Sequence, residues 1–157
     1  MTARLILGLC LLLSSLACLA RAHFVLLEPK SLGFDDDREG EGPCGGFDVK
    51  DRNTGLTDFP VSGGVVALLT THSQSTYSFK VAVVADLSQW FDLTRALSQK
   101  GTGQFCEPQI PARQQWIGQE AVLQVTQHGH DGTLYQVGSV SPPRPFTASA
   151  PCFTSSR

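Results

Sequence analysis

The sequence predicts an all-β domain: a sandwich of two antiparallel sheets carrying one short helix and long loops. Three observations predict it. Apolar residues come in short runs of strand length, several of them rich in Val, Tyr and Phe. Glycine and proline, 15 and 9 of the 157 residues, punctuate the chain between those runs. Only one segment spaces its apolar side chains as a helix would. Many short strands separated by Gly and Pro turns form the pattern of a two-sheet sandwich.

The elements follow in order. Phe24-Val25-Leu26-Leu27 is a short apolar strand stopped by Glu28-Pro29. A polar loop from Gly33 to Gly46 carries the run Asp35-Asp36-Asp37. A calcium loop needs alternating oxygen ligands and a bidentate acid placed later, so this run reads as solvated charge. Gly63-Gly64 opens a strand over 65–71, and a second strand covers 76–85. The polar turn His72-Ser73-Gln74-Ser75 between them predicts a hairpin. Asp86-Leu87-Ser88 is placed to cap a short helix through Trp90, Phe91, Leu93 and Leu97. Residues 101–111 read as loop. Alternation over 121–127 and the apolar run over 133–140 predict two more strands, and Pro142-Pro143 with Pro145 ends regular structure. No internal repeat is present.

The amino terminus has the three parts of a secretory signal. Arg4 supplies positive charge, residues 5–20 are almost wholly apolar, and Ala20-Arg21-Ala22 offers small residues at a cleavage site. The apolar run is shorter than the roughly 20 residues a membrane-spanning helix needs. The chain therefore divides into a signal peptide (1–22), a β domain (23–141) and a Pro/Ser-rich segment (142–157). The expected location is extracellular, in solution or at the cell surface or wall, with no transmembrane segment in the mature chain. Every acidic residue lies beyond the cut while Arg4 and Arg21 are lost, so the mature chain is more negative than the full chain's −2. With no basic patch, nucleic acid is not an expected partner. Cys10 and Cys18 leave with the signal. Of Cys44, Cys106 and Cys152, two are expected to pair in an oxidising compartment, leaving one over.

Four histidines occur, all beyond the cut: His23, His72, His128 and His130. Cleavage after Ala22 frees the α-amine of His23. That amine and the ring Nδ1 of the same residue can chelate one metal ion, and a second histidine completes a planar set of three nitrogens. Such a set, a histidine brace, suits Cu(II), which prefers tetragonal nitrogen-rich sites. An ordinary frayed terminus is the other reading of His23. His72 lies in a turn between two strands, where it is either a second ligand or an exposed turn residue. His128-Gly129-His130-Asp131-Gly132 offers a zinc-type pair with an adjacent carboxylate, or a simple glycine-flanked turn.

Six segments in order resemble one fungal family. They are His23-Phe24, Gly33-Phe34-Asp35, Cys44-Gly45-Gly46-Phe47, Phe59-Pro60-Val61-Ser62-Gly63-Gly64, Phe105-Cys106-Glu107-Pro108 and Asp131-Gly132-Thr133-Leu134-Tyr135-Gln136. The family comprises copper-binding proteins related to lytic polysaccharide monooxygenases, the copper-acquisition-factor-like proteins. The resemblance runs from residue 23 to residue 136. It implies a small immunoglobulin-like β-sandwich holding copper through the N-terminal histidine, a second histidine and an aspartate. Residue by residue, these are His23, His72 and Asp131, with Asp58 as the reserve aspartate. A carboxylate in the fourth in-plane position implies copper binding for acquisition or homeostasis rather than oxygen chemistry, with a cell-surface copper transporter or a cell-wall component as recipient. A copper-dependent polysaccharide monooxygenase and a metal-free surface interaction module are the alternatives. Two departures stand out. Val137 occupies the place where relatives carry a cysteine, which leaves open whether Cys44 or Cys106 pairs with Cys152. The chain ends at Arg157 without the hydrophobic tail of a lipid anchor, so a soluble protein is expected. The single asparagine, Asn53, is followed by Thr54-Gly55 and offers no N-glycosylation site.

Overall fold

The computed structural model describes residues 22–141 and Cys152. The expected signal segment, apart from Ala22, and the Pro/Ser-rich segment, apart from Cys152, lie outside the described residues. Nine strands make up the described chain: β1 (Phe24–Glu28), β2 (Thr57–Asp58), β3 (Gly64–Thr70), β4 (Gln74–Val83), β5 (Asp86–Asp92), β6 (Leu97–Lys100), β7 (Gly103–Ile110), β8 (Ala121–Gly129) and β9 (Gly132–Ser141). One short 3-10 turn, Gln114–Trp116, is the helical element among them. The small sheet has the order β1-β3-β7. The large sheet has the order β2-β9-β8-β4-β5, with β6 also pairing β4. The pairs are antiparallel except β2 with β9.

The two sheets enclose the main core. β4 alternates as far as Val81, burying Tyr77, Phe79 and Val81 on its inner face. Leu123 and Val125 of β8, Phe24 and Leu26 of β1, and Val66 and Leu68 of β3 pack against them. β8 is buried on both faces, because the long segment after β1 folds over the outer side of the large sheet. Leu32 and Val49 from that segment form a second small core with Ala82, Val122 and Val137. Backbone bonds Leu32 N–H to Val137 O (2.9 Å) and Tyr135 N–H to Glu39 O (2.8 Å) fix it there. Among the described residues, no helix is long and apolar enough to cross a membrane.

Three sequence expectations are corrected. The helix after Asp86 is instead β5 and β6, which cover the outer edge of β4. Trp90 and Phe91 show why: these neighbours point to opposite sides, Trp90 to the small core and Phe91 to the main one. That is a strand's period of two. Residues 103–110, expected as loop, form β7 against β3. β3 and β4 do not pair as a hairpin, because the chain crosses between sheets at Thr71-His72-Ser73.

Candidate metal centre

Register brings His23 to that crossover. β1 runs antiparallel to β3 with Phe24 opposite Thr70, so the next pair is His23 and Thr71. Thr71 N–H donates to His23 O at 3.0 Å. The Thr71 hydroxyl accepts from His23 N at 2.9 Å and lies 3.1 Å from His23 O as donor. The His23 ring packs edge-on to Phe34, and its Nε2 faces the Asp36 carbonyl at 3.3 Å. With Nε2–H donated there, a neutral His23 ring keeps Nδ1 as its lone-pair nitrogen. A backbone carbonyl on the outer ring nitrogen is the usual support of a metal-ligating histidine.

His72 is buried at the crossover. Its N–H bonds the Thr70 hydroxyl at 3.1 Å, and that hydroxyl also accepts from the buried Gln127 amide at 2.8 Å. Its Nε2–H donates to Asp131 Oδ1 at 2.7 Å. Its Nδ1 is buried with no hydrogen-bond partner among the described residues. Asp131 belongs to the two-residue turn between β8 and β9, closed by the Gly129–Gly132 pair. Its second oxygen lies 3.3 Å from Ala22 N, so the backbone entering His23 reaches the same carboxylate. Burial pushes the Asp131 carboxyl up, but the His72 bond and the N–H groups of Ala22 and Asp131 itself outweigh it and hold the carboxyl below its ordinary value. Gly129 keeps the space clear: a Cβ there would lie 2.6 Å from His72 Nε2 and 2.8 Å from Asp131 Oδ1.

His72 and Asp131 thus meet at one end of the sandwich, and His23 enters beside them opposite Thr71, with its ring packed on Phe34 and facing the Asp36 carbonyl. The other candidates do not all join them. Asp58 pairs with Ser141 at the far end of β9, about 30 Å of strand away from the site. His128 turns to Thr133, with Nδ1 3.2 Å from its hydroxyl. His130 approaches the site, its ring centre 6.0 Å from that of His72. The three carboxylates of Asp35, Asp36 and Asp37 cluster, and an Asx turn from Asp37 N–H to Asp35 Oδ1 (3.1 Å) shapes the run.

An imidazole and a carboxylate in contact beside the backbone entering His23 form a nitrogen- and oxygen-rich constellation. Residues 21–157 match the family described as copper acquisition factor BIM1-like. The chain belongs to that family. Membership ties the chain to copper-related function. It is 28% identical over 138 residues to the lytic polysaccharide monooxygenase-like protein X325 of Yarrowia lipolytica, covering 80% of this chain and 51% of the relative. It is 29% identical over 140 residues to copper acquisition factor BIM1 of Cryptococcus neoformans var. grubii, covering 80% of this chain and 62% of the relative. The chain spans about half to three fifths of the length of these curated relatives.

Behind the site lie residues that sequence reading missed. Gln136 of β9 accepts from Leu26 N–H at 2.9 Å and donates to Phe24 O at 2.6 Å and Glu39 Oε1 at 2.9 Å. It ties the large sheet to the backbone of β1. Glu39 is 2% exposed, and burial pushes its carboxyl up to about 7 despite the lowering effects of Gln136 and His23. The signal for Gln136 was available, since it shares the inward register of β9 with Leu134. Glu39 sits in an irregular segment, where no period marks it. The disulfide joins Cys106 to Cys152, and Cys44 is the free thiol among the described residues.

Proposed function

We infer that this chain is a secreted copper-binding protein that takes Cu(II) as cargo through a histidine brace. The ligands are the α-amine and Nδ1 of His23, a ring nitrogen of His72, and the Asp131 carboxylate. Cleavage after Ala22 would create the amine, and the domain from residue 23 to residue 141 would carry the site. One observation supports this reading most: Asp131 contacts His72, and its second oxygen lies 3.3 Å from the N–H of Ala22, the residue that cleavage removes from in front of the His23 amine. The clearance that Gly129 keeps beside His72 Nε2 and Asp131 Oδ1 fits an ion held between these two atoms. Asp131, held ionised, supplies negative charge to balance the cation. Copper displaces the proton shared by His72 and Asp131, so uptake releases protons and weakens as pH falls.

The Cys106–Cys152 disulfide supports an oxidising, extracellular setting. The expected recipient is a cell-surface copper transporter or a wall component. The deciding experiment is the electron paramagnetic resonance spectrum of one equivalent of Cu(II), with protein starting at His23 compared against protein carrying a short Gly-Ser extension. A single tetragonal nitrogen-rich site, lost on extension, is the expected result. Identical spectra from both forms would remove the amine from the ligand set. The name of the Yarrowia relative keeps an oxidative reading in view. Under the binding reading, copper-loaded protein with a reductant makes little peroxide, and Asp131→Ala makes more. High peroxide production in the unaltered protein would favour the oxidative enzyme.

A further inference from the structure

We propose that His130, with His72 and Asp131, forms a second ligand set for a divalent transition-metal ion, one that does not use the α-amine of His23. The geometry is built into a rigid turn. His130 and Asp131 are the two residues between paired Gly129 and Gly132, so both side chains leave the same tight turn beside the crossover that carries His72. One ligand atom from each of His72, His130 and Asp131 lies within 4.8 Å of the others. Ligands that share an ion at about 2.0–2.2 Å stand about 3–4 Å apart. His72 and Asp131 already meet at 2.7 Å. His130 is exposed, so its ring has freedom to close the remaining gap.

Two imidazoles and one carboxylate, with water completing the shell, suit Zn2+ and Cu2+ alike. His130 also stands on the wall of a polar cleft of about 400 Å³, with Ser73, Gln74 and His128 among its other lining residues. An ion arriving through that cleft meets His130 before it meets buried His72. The set therefore serves as a receiving position from which an ion passes to the brace. That role rests on the brace reading, whereas the His130 site itself does not.

The experiment uses the Gly-Ser-extended protein, in which the α-amine is displaced, and Zn2+ as the probe, titrated calorimetrically. The expected result is binding of one equivalent, weakened at least about tenfold by His130→Ala and by His130→Gln. His128→Ala, in the neighbouring cleft histidine, leaves it unchanged. Absence of Zn2+ binding by the extended protein, or binding indifferent to both His130 variants, overturns the proposal. Thermal unfolding of each variant verifies that the fold is intact. A brace spectrum in the unextended protein together with an inert His130 would sink this inference alone. A lost brace spectrum with a working His130 site would sink the brace alone.

Discussion

Gly129 is the position where one methyl group decides the geometry of the site. A Cβ there would press on His72 Nε2 and Asp131 Oδ1 together. Neither can retreat easily, since His72 is buried and Asp131 is held in a two-residue turn. Gly129→Ala is therefore expected to cost about 1–3 kcal/mol as an overpacked contact. It should also weaken Cu(II) binding by about tenfold or more, a change of about 1.4 kcal/mol or more. Chemical denaturation and competition against a copper chelator measure the two effects, and an alanine variant with unaltered copper affinity would contradict the placement. Glu39 carries a different prediction. Its carboxyl rises from 4.5 to about 7 because it is buried, and its Oε2 has no partner among the described residues. The folded state thus binds a proton that the unfolded state releases. The stabilising contribution is full below about pH 4.5 and is lost as pH rises toward 7, at up to about 1.4 kcal/mol per pH unit. Metal-free protein should lose stability across that window. Glu39→Gln, which stays neutral, should flatten the slope.

β1 is a five-residue edge strand of the small sheet, paired only with β3. Its open edge is met by Gln136 of the opposite sheet, through Leu26 N–H and Phe24 O, and by the Glu39 carboxyl, which accepts from Phe24 N–H. Because His23 directly precedes this strand, the Gln136 amide also sets where His23 lies. Gln136→Leu keeps the volume but leaves buried backbone groups unpaired, at about 1–3 kcal/mol each. The expected outcome is a lower denaturation midpoint together with a broadened, heterogeneous copper spectrum. A stable variant with an unchanged spectrum would show that β3 and Glu39 hold β1 without it. The strands legible in the sequence, β1, β3, β4, β8 and β9, are those whose apolar content comes from facing the core. β7 escaped because it is largely polar or half-exposed along its length and is held by backbone pairing to β3. β5 was misread because Trp90, Phe91, Leu93 and Leu97 match a helical spacing while serving two different cores. His72, His130 and Asp131 were legible as polar residues placed in turns, and the structure brings these three together. Glu39 was not, because a lone acid in a loop gives no sign that the loop folds back over a sheet.

At the scale of the whole molecule, the candidate metal centre and the covalent staple sit on opposite edges of the small sheet. The order β1-β3-β7 puts β1, which follows His23, on one edge and Cys106 on the other. The Cys106–Cys152 bridge spans 46 residues, for which loop entropy assigns about 4 kcal/mol of stabilisation. Cys44 is no ready substitute partner: burial, with Asp48 nearby, raises its thiol pKa and keeps it protonated and unreactive. Replacing both bridge cysteines by serine should lower stability by about 2–4 kcal/mol and leave the Cu(II) spectrum unchanged, because β3 separates β7 from β1. Urea denaturation and electron paramagnetic resonance on the same double variant test both halves. If the spectrum changes while the protein stays folded, the small sheet transmits strain from one edge to the other. The tail held by Cys152 would then be part of the support of the metal centre, and not only a clamp on the fold.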